Sequence, residues 1–257
     1  MVVETSLAPL WPMIRQQTLA ELRRLVRLPE FSGFSLLFPV IIYIFIGTQG
    51  GRYAGIQYQR YALASLAAYA VVNVALFSFG VTVATERGNR IDALLRASPV
   101  RPIVPLVAKV VAGMLFASTA LLILYLAAIL VAGVQLNGFE LFNLSSRLLL
   151  GMIPFMCMGF AFGYLSGPAA AVAVINLVFL PMSFASGIFI PLDHLPGFIQ
   201  IIAPYLPMYH LGHMAWNAVG VPYADLPVSV AWLAGYGVLF LAAAMWAMRR
   251  EDNRRFS

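Results

Sequence analysis

Between Tyr61 and Ala84 the chain runs for twenty-four residues without a charged side chain, YALASLAAYAVVNVALFSFGVTVA. A run of that length and apolarity suits a helix crossing a bilayer, where each backbone N–H and C=O must be satisfied within the segment. Five more apolar runs follow the same pattern: Phe31 to Gly47, Ile103 to Gly133, Arg147 to Leu165, Ala169 to Ile190 and Val228 to Met248. The chain is 61% hydrophobic and 10% charged, whereas a soluble domain carries roughly 25% charge. The expected fold class is therefore all-α and integral to the membrane, with six transmembrane helices in a single domain over residues 1–257. Pro39 interrupts the first run, and neighbouring helices can re-satisfy the backbone group it frees. The third run exceeds what a crossing needs, so it is tilted or begins in the interface. Lys109, about one turn into that run, is expected to snorkel back to the basic side.

Six spans put both termini on one side. That side collects Arg15, Arg23, Arg24, Arg27, Arg87, Arg90, Arg96, Arg101, Lys109 and the tail arginines Arg249, Arg250, Arg254 and Arg255. These are thirteen of the sixteen basic residues; only Arg52, Arg60 and Arg147 fall on the other. By the positive-inside rule the termini are expected in the cytoplasm. The net charge of +6 is explained by this topology, and no nucleic-acid partner is expected. The N-terminus lacks the short apolar core and cleavage site of a signal peptide.

The most charged stretch in the middle of the chain is Thr85 to Pro102, TERGNRIDALLRASPVRP. It lies between the second and third spans and is predicted to form a short helix, with Asn89 as cap and Asp92 three residues on. Ile91, Leu94 and Leu95 then share one face, Arg90 and Arg96 leave it, and Pro99 ends the helix. An amphipathic helix held at a membrane surface reads as a docking knob; the plainer alternative is a solvated positive-inside loop.

Residues 5–28 place Leu7, Leu10, Trp11, Ile14, Leu22, Leu25 and Val26 at helical spacing with arginines around the other faces. This predicts an interfacial amphipathic helix in contact with membrane lipid, with Trp11 at headgroup depth. Residues 187–216 are too rich in proline for a continuous span and too apolar for a free loop. A re-entrant helical hairpin before the last span is predicted, built from Phe198 to Ala203 and Tyr209 to Ala218. Such backbone survives at membrane depth only where protein or a water-filled cavity covers it. That makes Pro191, Asp193, His194, Pro196, Pro204, Pro207 and His210 candidates for an external gate. His210 and His213, three apart, are also the residues an intramembrane metalloenzyme would use, but no H-E-x-x-H pattern accompanies them and no metal is expected.

Asn73 and Asn176 lie inside spans two and five; each is either part of a transport pathway or glue between helices. Gly159, Gly163 and Gly167 form a four-spaced stripe that permits close packing within the subunit or across a dimer. No string of buried carboxylates supports an ion-coupled carrier, no P-loop supports ATP binding, and no G-x-S-x-G supports a hydrolase. The chain is not expected to be an enzyme or to hold a cofactor. The single Cys157 gives no disulfide.

The order of these parts, with S-P-V-R-P at 98–102, G-I-F-I-P-L-D-H-L-P at 187–196 and P-Y-L-P-M-Y-H at 204–210, resembles the type 2 ABC-transporter permeases. These are the six-span membrane subunits of bacterial exporters. The resemblance covers nearly the whole chain. It implies that residues 85–102 carry the coupling helix that docks on a separate ATPase, with Glu86, Arg87, Arg90, Ile91, Asp92, Leu94, Leu95 and Arg96 as the contact set. The core here reads Gly88, Asn89, Arg90, Ile91, Asp92 where the family often has a Gly-Thr-Leu-Glu-like sequence. The resemblance further implies two ATP-binding subunits that hold ATP and Mg, a second permease copy (the same chain or a homologue), and a bacterial inner-membrane location. The implied activity is export of an amphiphilic drug, lipid or lipid-linked glycan by alternating access. A membrane scaffold or sensor that docks a cytoplasmic partner through the basic loop is the alternative.

Overall fold

The computed structural model describes residues 9–27, 29–89, 101, 103–222 and 226–255, the side chains of 29–31 and 252–255 excepted. Its described part is almost entirely helical. The order is α1 (Leu10–Val26), α2 (Pro29–Gly47), a two-stranded hairpin of β1 (Arg52–Tyr53) and β2 (Ile56–Gln57), α3 (Tyr58–Gly88), α4 (Ile103–Ala132), α5 (Gly138–Gly151), α6 (Ile153–Leu165) and α7 (Ala171–Ala185). After a 3-10 turn at Leu192–His194 come α8 (Gly197–Ile202), a second 3-10 turn, α9 (Pro207–Ala218) and α10 (Leu226–Arg255). Among the described residues, four helical stretches are long and apolar enough to cross a membrane: Tyr58–Gly88, Ile103–Ala132, Gly138–Leu165 and Leu226–Glu251. Two shorter apolar helices accompany them, Ser32–Gly47 and Ala171–Ala185.

The centre of the bundle is α3, buried on every side from Tyr61 to Leu76. Its sequence explains this: alanine, serine and glycine at many positions let neighbours approach from all directions. The closest neighbour is α6. A Cβ on Gly159 would stand 3.0 Å from Leu76 O and 3.1 Å from Ala75 O, and one on Gly163 would stand 2.9 Å from Gly80 O. The glycine stripe therefore packs inside the subunit at Gly159 and Gly163, while Gly167 faces open space. On the opposite flank, Ser35 of α2 donates to Asn73 Oδ1 at 2.7 Å, with both side chains buried. Asn73 thus joins α2 to α3.

Several predicted boundaries move, each for a local reason. Residues 134–146 fall between the apolar runs that end at Gly133 and begin at Arg147, yet α5 begins at Gly138. Asn137 Oδ1 accepts from the Glu140 N–H at 2.8 Å, and Glu140 Oε2 accepts from the Asn137 N–H at 2.9 Å, which is a capping box. The helix then breaks briefly at Met152, because Pro154 has no N–H for the preceding turn. Span five was expected to reach Ile190 but α7 stops at Ala185. Pro181 lies inside its last turns, and Gly187 at φ +79 turns the chain away. The expected polar loop at 48–60 contains the hairpin, whose two-residue turn Ala54-Gly55 has both φ values positive. The tail arginines continue α10 as helix to Arg255.

The helix ends sort into two groups. The end of α3 meets the start of α4, the end of α6 and the end of α10 through Glu86 and Arg87. At the other extreme, the start of α3 meets the start of α5 through Arg60 and Glu140. Tyr61 there donates to Gly187 O, just past the end of α7, at 3.2 Å.

Candidate functional site

Two polar regions stand at these two ends. The first surrounds the root of the 90–100 loop. Glu86 and Arg87 were expected within that loop, but α3 continues through Gly88 and carries both in its last turn. Consecutive helical positions diverge by about 100°, so the two side chains reach opposite sides of α3. Asn89, expected to cap the next helix, is here the C-cap residue of α3. Arg90, Ile91, Asp92, Leu94, Leu95 and Arg96 lie outside the described residues.

Arg87 closes the end of α6. Its Nη1 donates to Gly163 O at 2.6 Å and Tyr164 O at 2.8 Å, with Ser166 O at 3.4 Å. These are carbonyls of a helix C-terminus, which have no partners in their own helix and carry partial negative charge. The guanidinium also lies 5.1 Å from the Tyr164 ring centroid. Its Nη2 is 2.5 Å from Glu251 Oε2 near the end of α10.

Glu86 faces the other way. Its Oε1 accepts from Lys109 Nζ at 2.6 Å and from Arg24 Nη1 at 2.5 Å. Lys109 also donates to Glu21 Oε1 at 2.7 Å. Lys109, expected to reach toward the basic side, meets Glu86 in the last turn of α3. Its side chain is only 9% exposed, held between carboxylates from α1 and α3. Arg87 and Glu86 together connect the end of α3 with α1, α4, α6 and α10.

The helix α1 presents distinct flanks. Thr18, Glu21 and Leu25 are buried against the bundle, whereas Trp11, Leu19 and Val26 are exposed on an adjacent flank. Arg23 and Arg27 are exposed on a third flank. The polar Glu21 shares the buried face with the apolar Leu25, and both hold this helix to the protein.

The second region is the 187–216 segment. The expected pieces appear as α8 and α9, separated by the Pro204 turn. Pro196 is the N-cap residue of α8, and Pro207 is the first residue of α9, where a missing N–H costs nothing. The segment is pinned to α3 and the hairpin. Trp216 Nε1 donates to Ser65 Oγ at 2.8 Å and stacks on Tyr61, and Tyr53 donates to Asp193 Oδ2 at 2.9 Å. Arg147 of α5 donates to Asn217 Oδ1 at 2.7 Å. Pro191 is buried; His194 and Pro204 are exposed. His210 is buried and stacks on Trp232 of α10. Its Nε2 donates to Pro204 O at 2.9 Å, which leaves Nδ1 facing the Ser229 hydroxyl at 3.4 Å. One ring nitrogen therefore closes the turn, and the other faces α10. Among the described residues no group of three or more His, Cys, Asp or Glu side chains is placed to hold a metal ion.

Comparison with known proteins decides the identity of this architecture. Residues 48–246, most of the chain, match the family model of the ABC-2 family transporter proteins. The chain belongs to this family. It is also 22% identical over 245 residues to a protein of Bacillus subtilis (strain 168) named "Putative transport permease YvfS", covering 93% of this chain and 98% of that one. The ABC-2 assignment makes the chain a multi-pass membrane transport subunit, of a kind that works with an ATP-binding subunit.

The sequence had singled out Glu86, Arg87 and Lys109 but not their partners Glu21, Arg24 and Glu251. One signal was available. A lysine inside an apolar run requires an acidic partner, and Glu21 is the only acid in α1.

Proposed function

We propose that this ABC-2 permease is the membrane-spanning half of an exporter. In this reading it moves an amphiphilic substrate out of the cytoplasm by alternating access, driven by ATP hydrolysed on a separate subunit. The observation that carries the reading is the root of the 90–100 loop. The last turn of α3 is tied to four other helices, and the sequence that follows it carries arginines at 90 and 96 and apolar residues at 91, 94 and 95. A push on such a loop is passed to the helices as bodies. Two permeases and two ATPases assemble, Arg90 and Arg96 steer docking, and Ile91, Leu94 and Leu95 bury in the ATPase surface. ATP and Mg sit on the ATPases.

Six spans are proposed, with α2 and α7 as the two short ones, both termini in the cytoplasm and the protein in a bacterial inner membrane. The collection of thirteen basic residues at one end supports this topology. The 187–216 segment is then the outer gate, with Asp193, His194, Pro191, Pro196, Pro204, Pro207 and His210 shaping its turns. Asn176 belongs to the pathway rather than to the helix glue. It is half-buried on α7 between Val172 and Leu180, two exposed residues one turn away on each side, with no hydrogen-bond partner among the described residues. A bare amide at mid-span is costly in lipid, so this face meets water, substrate or the second permease. Asn73 no longer needs that role, since Ser35 satisfies it.

The test is Leu94→Asp. It places a carboxylate in the docking face and is expected to abolish ATP-driven export while the protein still inserts and folds. Export at the parent rate by this variant would contradict the docking assignment.

A further inference from the structure

Lys109, Glu21, Arg24 and Glu86 close a ring of four charges, two of each sign. Lys109 Nζ lies 2.7 Å from Glu21 Oε1 and 2.6 Å from Glu86 Oε1; Arg24 Nη1 lies 2.5 Å from Glu86 Oε1 and 4.0 Å from Glu21 Oε2. The members come from three elements: α1, the last turn of α3 and the second turn of α4. The last two are the stems on either side of the 90–100 loop.

We infer that this ring makes α1 part of the drive. It clamps α1 to both stems, so that α1, the end of α3 and the start of α4 move as one body when the loop is displaced. Lys109, Glu21 and Glu86 are positioning residues for transport. The inference rests on the ATP-driven permease reading for the origin of the displacement, but the clamp itself is a property of this chain alone.

Three observations favour a clamp over an incidental surface pairing. Exposed ion pairs contribute little because solvent screens them, whereas the Lys109 and Glu21 side chains are each 9% exposed and Glu86 13%. Removing one partner of such a group leaves a buried charge without its counter-ion, so the geometry is held strongly. The ring also lies on the buried face of α1, where Glu21 sits between Thr18 and Leu25. Without the ring, α1 keeps the packing of Leu25 against the bundle but loses the ion pairs that join it to both stems.

The experiment places spin labels at Arg15→Cys on α1 and Leu106→Cys on α4, both exposed positions, in a Cys157→Ser background. Pulsed electron spin resonance then reads the distance. In the permease alone the parent is expected to give one narrow distance. It should stay unchanged in the full complex with ATP and vanadate. Glu21→Gln with Lys109→Met removes one charge of each sign and is expected to broaden the distance. Transport per ATP should fall about tenfold, within the ordinary range for coupling between linked sites, with ATPase binding retained. Lys109→Arg, whose fork can serve both carboxylates, should keep the narrow distance and the parent's coupling. Should the double variant fail to fold, Arg24→Gln opens the more exposed corner of the ring and should show the same broadening in weaker form. A narrow distance and undiminished transport per ATP in the charge-removed variants would overturn the clamp. An absent ATPase partner would remove the transport reading but leave the distance result in the isolated permease intact, so the two failures are distinguishable.

Discussion

Gly159→Val is expected to prevent the permease from reaching a stable folded state, with a loss of at least about 3 kcal/mol, the upper part of the range for overpacked cores. The reason is the nature of the neighbours. A Cβ at this position would stand 3.0 Å from Leu76 O, 3.1 Å from Ala75 O and 3.2 Å from Leu76 Cα, all of them backbone atoms of a buried helix that cannot rotate aside. Valine adds two methyl groups beyond that Cβ. Gly167→Ala is the control, because nothing lies within 4 Å of a Cβ there. The check is thermal stability in detergent by fluorescence-detected size exclusion. The Gly159 variant should aggregate or melt far below the parent, and the Gly167 variant should match it. Equal stability of the two variants would mean that α3 and α6 do not cross at this contact.

Arg87→Met is expected to destabilise the protein by about 3 kcal/mol, the scale for breaking a largely buried ion pair from one side. The change leaves the Glu251 carboxylate without its guanidinium and the α6 carbonyls at residues 163, 164 and 166 without a cap. Methionine preserves much of the apolar stem, so the loss reports charge and hydrogen bonding more than packing. The double variant Arg87→Met with Glu251→Leu should recover part of the loss, because no partly buried carboxylate is then deprived of the Arg87 guanidinium. Arg87→Lys should be intermediate, since one ammonium cannot span both the carbonyls and the carboxylate. The measurement is a double-mutant cycle of denaturation midpoints. Additive effects of the two single changes would show that the pair makes no coupled contribution.

Much of the architecture was legible in the chain because bilayers impose a coarse rule. Apolar runs of sufficient length became helices at α3, α4 and α10. The boundaries were legible only where local chemistry was read. Asn137 and Glu140 spelled a capping box that would have started α5 at Gly138, but the polar residues around them suggested a loop. Pro181 and Gly187 marked the early end of α7. At the candidate site, the lone lysine inside an apolar run signalled a partner without naming it. Which carboxylate it met depended on the crossing of α1, α3 and α4, a tertiary fact that helical spacing does not encode. The glycine stripe looked uniform in sequence, yet only Gly159 and Gly163 face α3, because the turn after α6 carries Gly167 away from it. Asn73 and Asn176 looked equivalent as well; Ser35 on a neighbouring helix separated them.

The central claim is that energy enters this permease from an ATPase docked on the 90–100 loop. Its most direct test is to recover the tagged protein from its native membranes in mild detergent and assay what comes with it. The account predicts a P-loop subunit in roughly stoichiometric amount and vanadate-sensitive ATP hydrolysis, both lost from the Leu94→Asp variant. Recovery of the intact permease without any such subunit across several detergents would contradict it and favour a scaffold or sensor that uses the same basic loop for a different partner.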